Sequence, residues 1–154
     1  MKPMKIKTKY FDEIDIDEKD MITFENGIPG FWEETRFVIL PFTDDGLFEI
    51  MQSVATPELA FVITDPFFFF KDYAFDLEDA AAEQLGIERP EDVKVSVILT
   101  IREPFENTTA NLQAPVVINR KNRKAKQVVL NNVPYTTKHP LFPKKGADAG
   151  RGVK

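Results

Sequence analysis

Apolar residues recur mostly at every second position, in short runs separated by turn-forming residues. Lys5-Ile6-Lys7-Thr8-Lys9-Tyr10 and Ile14-Asp15-Ile16 alternate, the period of a strand with one buried face. Met21-Ile22-Thr23-Phe24 is β-prone and runs into Asn26-Gly27-Ile28-Pro29-Gly30, which reads as a turn. Arg36 to Phe42 is mostly apolar and closes at Asp44-Asp45-Gly46. Leu47–Val54 and Leu59–Thr64 are further strands, the second ended by Asp65-Pro66. Val93–Arg102 alternates first and then turns continuously apolar, the pattern of a strand exposed at one end and buried at the other. Ala110–Asn119 and Gln127–Leu130 flank a basic loop. A single segment predicts helix, Asp76–Leu85, with Asp76 as N-cap, Asp79 three residues on, and Gly86 as the stop. Leu77, Ala81 and Leu85 share one face of it, to lie on a sheet or plug a barrel end. Nine or so short strands and one helix predict a mainly β fold, either a sandwich or a small closed or partly open β-barrel. No internal repeat or linker divides the chain. Residues 1–142 therefore read as one domain, and the apolar-poor tail 143–154 is expected to be disordered.

Composition narrows the function classes. The chain has 154 residues, 43% of them hydrophobic, with 14 phenylalanines to fill a core. It has no cysteine, which excludes disulfides, thiolate zinc sites and cysteine nucleophiles and fits a cytoplasmic protein. Met1–Tyr10 is basic but lacks the apolar centre of a signal peptide. No run approaches the roughly 18 apolar residues of a membrane span, so no membrane is expected. Asn107-Thr108-Thr109 matches a glycosylation acceptor and is read as chance. Net charge is −5, made of −14 over residues 1–92 and +9 over residues 93–154. Two readings stand at this point: surfaces of opposite sign, or strands that fold the halves together and mix the charges.

Catalytic and metal chemistry finds little footing. His139 is the one histidine, and before Pro140 it reads as a surface or packing residue. The acids Asp12 to Asp20 fail a calcium loop. Counting from Asp15, position five is Lys19, position six Asp20 and position twelve Asn26. Gly27 and Gly30 precede no GK[ST] string. Ser53 and Ser96 lie outside any GxSxG elbow. The sequence thus predicts no enzyme, no metal and no cofactor, and a hydrolase would need carboxylates assembled only in space. Arg120-Lys121-Asn122-Arg123-Lys124-Ala125-Lys126 holds five basic residues in seven. It reads either as a solvated hairpin tip or as a phosphate-tracking loop of an RNA-binding module, though no aromatic is interleaved to stack bases. Phe67–Phe70, continuing to Tyr73 and Phe75, reads either as a core-filling loop or as an apolar docking patch.

Several strings together resemble the family of the flagellar assembly factor FliW. Phe24-Glu25-Asn26-Gly27-Ile28-Pro29-Gly30-Phe31 is similar to its F-x-x-G-I-P-G-F segment, and Phe37-Val38-Ile39-Leu40 follows at the expected distance. Met51-Gln52-Ser53 resembles L-Q-S with methionine for leucine. Ala60-Phe61-Val62, Asp65-Pro66 and Asp72-Tyr73 continue the likeness, as does Thr109–Asn119 against T-x-N-L-x-A-P-I-V-I-N. The resemblance covers roughly residues 4–142. It implies a β-barrel-like fold that binds CsrA, a small RNA-binding translational repressor, lifts its repression of flagellin translation, and binds flagellin itself. The chain is expected to be cytoplasmic, a monomer on its own, and to touch no nucleic acid directly. Gly27, Pro29 and Gly30 are explained by turn geometry, and Asn111 by a bond to a neighbouring turn. The expected partner-binding residues are Phe68, Phe70 and Tyr73 as apolar anchors, with Asp72 and Asp76 beside them.

Overall fold

The computed structural model describes residues 3–142, so the expectation of a disordered tail lies outside the described residues. Among the described residues eleven strands form one antiparallel hairpin and one larger sheet. The hairpin joins β1 (Pro3–Thr8) to β2 (Asp12–Asp17), with Ile6 opposite Ile14. The larger sheet begins with β3 (Met21–Thr23), β4 (Arg36–Pro41), β5 (Phe48–Ser53) and β6 (Ala60–Thr64), each antiparallel to the next. It continues through β7 (Val93–Thr100), β9 (Val116–Asn119) and β10 (Ala125–Gln127). The short β8 (Thr109–Ala110) and β11 (His139–Pro140) attach beside β7.

Period-two alternation sorts the side chains onto two faces. Ile22, Phe37, Met51, Ile63, Val116, Ile118 and Ala125 share one cluster. Ile22 belongs to the first strand of the ladder and Ala125 to the last, so this face is the inside of a curled sheet. The two ends meet at a single parallel bridge, Thr23 with Lys124, where the Thr23 amide donates to the Arg123 carbonyl at 2.9 Å. The barrel is therefore partly open, tied by one bridge rather than a full ladder.

Three covers shield the outer face. The β1–β2 hairpin packs Ile6 and Ile16 on Met21 and Val38. The segment after β6 places Tyr73 with Leu112 and Leu141 over Ile50, Val62, Val97 and Leu99. The helix α2 (Asp79–Leu85) lays Leu85 on Val117, beside Val128 and Leu130.

The helix begins later than the sequence suggests. Its N-cap is Glu78, without a side-chain cap bond, and Asp76 lies outside it. Gly86 ends it in the left-handed conformation, φ 67°, as expected. A second, one-turn helix was not foreseen: α1 (Pro66–Phe69) follows β6 directly. Asp65-Pro66 reads as a strand stop, but it is equally an N-cap followed by proline at the first helical position. The last ladder strand is Ala125–Gln127 rather than Gln127–Leu130. Residues 128 and 130 instead donate their amides to the Pro115 and Gln113 carbonyls outside a regular strand. Among the described residues, no helix is long and apolar enough to cross a membrane.

Candidate partner-binding site

The four consecutive phenylalanines divide between surface and core because α1 is a single turn. The Asp65 carboxylate accepts from the Phe67 amide at 2.8 Å and fixes where the turn starts. Phe67 and Phe68 then point outward, 44% and 58% exposed, while Phe69 and Phe70 pack on the outer cluster. Phe69 meets Phe48 and Phe142 at centroid distances of 5.8 and 6.0 Å, and Phe68 leans edge-on against Phe69 at 5.1 Å. Two of the four rings thus lie at the surface, and the other two pack half-buried on the outer cluster.

The other expected site residues sit around this patch at different depths. Phe70 is half-buried with His139 edge-on at 5.2 Å, which makes the histidine a packing partner. Tyr73 is only 4% exposed and donates its hydroxyl to the Leu112 carbonyl at 2.7 Å. It supports the patch from beneath. The Tyr135 ring lies tilted against it at 4.7 Å and clamps Ala74, its hydroxyl accepting from the Ala74 amide and donating to the Ala74 carbonyl. Asp72 and Asp76 are exposed on the same segment.

Burial, and secondarily the neighbouring Tyr135, pushes the Tyr73 hydroxyl well above the usual tyrosine range. The folded state therefore holds this proton more tightly than the unfolded chain. That stabilisation is complete below the unfolded value near 10 and is lost as pH rises beyond it. Tyr73→Phe is expected to cost about 1 kcal/mol at neutral pH for the lost hydrogen bond. It should also flatten the fall in melting temperature above about pH 10; an identical alkaline fall in the variant would contradict this.

The basic segment forms the β9–β10 hairpin tip and is largely built into the fold. Arg123 Nη2 donates to the Asp20 carbonyl at 2.9 Å, and Lys124 pairs with Glu25 at 3.1 Å. The Asn119 and Asn122 amides both donate to the Leu85 carbonyl and tie the tip to the end of α2. Lys124–Glu25 and Lys94–Glu49 pair across the two sequence halves, so charge mixing holds at these places. Residues 71–92 carry eight acidic and two basic side chains, and among the described residues none of them forms an ion pair with the second half. Among the described residues, no group of three or more His, Asp or Glu is placed to hold a metal ion.

Several exposed apolar groups went unforeseen. Tyr10 and Phe11, at the β1–β2 turn, meet Phe42 beyond β4 at 5.3 and 6.4 Å. Two adjacent aromatics in a hairpin turn, where polar residues are the norm, were the available signal. Trp32, just past the glycine-proline turn, is 64% exposed.

The motif residues explain themselves structurally. Gly27 has φ +74°, and a Cβ there would lie 2.2 Å from the Trp32 carbonyl oxygen. Asn111 accepts from the Ala114 amide at 3.0 Å, the expected bond to a neighbouring turn. Gln52 is fully buried. Its amide donates to the carbonyls of Ser53, Pro57 and Leu59, while its oxygen accepts from the Lys9 amide at 3.0 Å. Ser53 donates to Glu34 at 2.6 Å and accepts from the Thr56 amide.

Fold and site together define a class: a mainly β, partly open barrel whose distinguishing surfaces are aromatic and acid-edged. The chain belongs to the FliW family, whose profile, described as FliW protein, matches residues 5–141. It is 57% identical over 144 residues to the flagellar assembly factor FliW of a Geobacillus species, covering 94% of this chain and 99% of that one. The Bacillus subtilis flagellar assembly factor FliW is 54% identical over 138 residues, covering 90% of this chain and 96% of the relative. A solved structure described as the crystal structure of the flagellar assembly factor FliW superposes with a TM-score of 0.88 at 54% identity, covering 92% of this chain and 99% of that one. The family role is in flagellar assembly.

Proposed function

We propose that this chain is a non-enzymatic regulatory protein of the cytoplasm that binds CsrA, relieving its repression of flagellin translation, and binds flagellin during flagellum assembly. In this reading it is a monomer on its own and acts as an assembly chaperone for flagellin. The observation that carries the reading is the seated aromatic patch of α1, exposed at Phe67 and Phe68 and edged by the carboxylates of Asp72 and Asp76. Rigid aromatic rings are efficient docking anchors. A net charge of −5 favours encounter with a basic RNA-binding partner.

Phe68 is the outermost anchor, seated on Phe69 at 5.1 Å, with Tyr73 packed beneath Phe67 and Phe70 half-buried beside them. Phe68→Ala is expected to weaken CsrA or flagellin binding about tenfold in calorimetry. The same substitution should move stability by no more than about 0.5 kcal/mol, because the ring is exposed. Unchanged affinity for both proteins would remove Phe68 from the interface. Direct RNA binding through residues 120–126 has weaker support, because Arg123 and Lys124 are already engaged within the chain. A gel shift with a steep salt slope would restore it.

A further inference from the structure

The strand β7 is paired on both sides for only part of its length. On one side β9 runs along Val93–Ser96 and β8 along Leu99 and Thr100. On the other, β6 pairs with Val97 and Ile98 and stops at Thr64. The Arg120 amide donates to the Asp92 carbonyl at 2.7 Å, and the Asn111 amide to the Ile98 carbonyl at 2.9 Å. The even-numbered residues of β7 therefore bond toward β9 and β8, and Val93, Val95 and Val97 turn their backbone groups toward β6. Val97 meets Thr64 there. Two residues on, the register sets Val95 opposite Pro66, which has no N–H to give and starts α1 instead. The Val93 amide is taken by the Pro90 carbonyl. Among the described residues, the Val93 carbonyl and both backbone groups of Val95 have no hydrogen-bond partner. Backbone groups of a half-buried strand are rarely left so.

This bare edge is recessed. Gly46, Leu47 and Glu49 wall it on one side, Asp65 and Phe67 on the other. The edge of another folded sheet is too broad to enter, whereas a single extended chain is not. On the outer face the edge opens on a groove of about 500 Å³ with apolar walls at Phe67, Phe75, Ile87 and Val117. On the inner face it opens on Arg120 and on Lys94, which pairs with Glu49 at 3.0 Å. A strand laid along it presents alternate side chains to an apolar and a polar surface. Open strand edges recruit extended peptides in this way: main-chain hydrogen bonds supply affinity, and pockets for alternate side chains supply selectivity.

We propose that the edge at Val93 and Val95 takes an extended segment of a protein partner as an added antiparallel strand, its apolar residues facing the outer groove and alternating with polar ones. This surface is separate from the exposed Phe68 ring and holds whichever proteins that ring binds. The probe is a short fluorescein-labelled peptide of alternating valine and threonine, followed by fluorescence anisotropy. In antiparallel pairing the residues opposite Val93 and Val95 share their outer face, so the valine N–H groups are the ones that donate to β7. N-methylating the valines should weaken binding about tenfold or more, and N-methylating the threonines should leave it within about twofold. Amide exchange followed by NMR locates the site without any substitution. In the free chain the Val95 amide should exchange about tenfold or more faster than the Val97 amide, and the peptide should slow it. No binding of the unmodified peptide, equal effects of the two methylations, or a Val95 amide as protected as that of Val97 before peptide is added would overturn the proposal. Protection of Val95 that rises with chain concentration alone would place a second copy in the edge and overturn it likewise.

Discussion

Gly27→Ala is expected to lower the melting temperature by roughly 10 °C, equivalent to about 3 kcal/mol for a chain of this size. Two effects add. The residue sits at φ +74°, where a side chain is strained. Its Cβ would also fall 2.2 Å from the Trp32 carbonyl oxygen and 2.5 Å from the carbonyl carbon. Those are backbone atoms, so no rotamer change relieves the contact. The chain must reopen the loop between Phe24 and Glu34, whose closure is held by the bonds from Phe24 to Thr35 and from Glu34 to Phe31. That loop carries Phe24 and Ile28 into the inner core. Gly30→Ala is the control. Its φ is +89°, but a Cβ there meets nothing within 4 Å, so about 1 kcal/mol of backbone strain is the whole cost. Equal effects from the two substitutions, read by thermal unfolding, would show that the close approach to Trp32 does not matter.

Gln52→Ala carries the second large effect, about 3 kcal/mol. The side chain is fully buried and holds two parts of the molecule that are far apart in sequence. Its oxygen takes the Lys9 amide at the β1–β2 turn, and its nitrogen takes the carbonyls that close the loop between β5 and β6. Removing it takes a partner at once from the buried Ser53 carbonyl and from the part-buried Lys9 amide and Pro57 carbonyl, which costs more than the net value of any one bond. Gln52→Glu should help little, because a carboxylate still accepts from Lys9 but cannot donate to the three carbonyls. Chemical denaturation measures both variants. A loss below about 1 kcal/mol for alanine would mean that water replaces the side chain without penalty.

The strand pattern was legible because alternation survives wherever one face of a strand is buried. The change of pattern along Val93–Arg102 anticipated the burial of Val97 and Leu99, but not that β7 ends at Thr100 and leaves Ile101 exposed. Gly86 and Asn111 were legible because each does a local job within a few residues. The division of Phe67–Phe70 was not, since it depends on a one-turn helix whose signal, Asp65-Pro66, also ends strands. The early helix start failed for a related reason: Asp76 has the chemistry of a cap, but Leu77 is drawn toward the cluster around Val117 before the helix begins. The depth of Tyr73 and the aromatic contact of Tyr10 and Phe11 with Phe42 come from elements distant in sequence. Periodicity contains no information about which covers meet on a sheet's outer face. The basic run at 120–126 forms a hairpin tip, one of the two readings its sequence left open, and its anchoring to Asp20, Glu25 and Leu85 is again long-range.

The central claim is that this acidic, aromatic-faced barrel works by holding protein partners. Calorimetry of the wild-type chain against CsrA, and then against flagellin, tests it most directly. The account predicts a saturable binding heat with CsrA and a separate one with flagellin, each diminished by Phe68→Ala. Absence of heat with both proteins, from a chain shown to be folded, would contradict it.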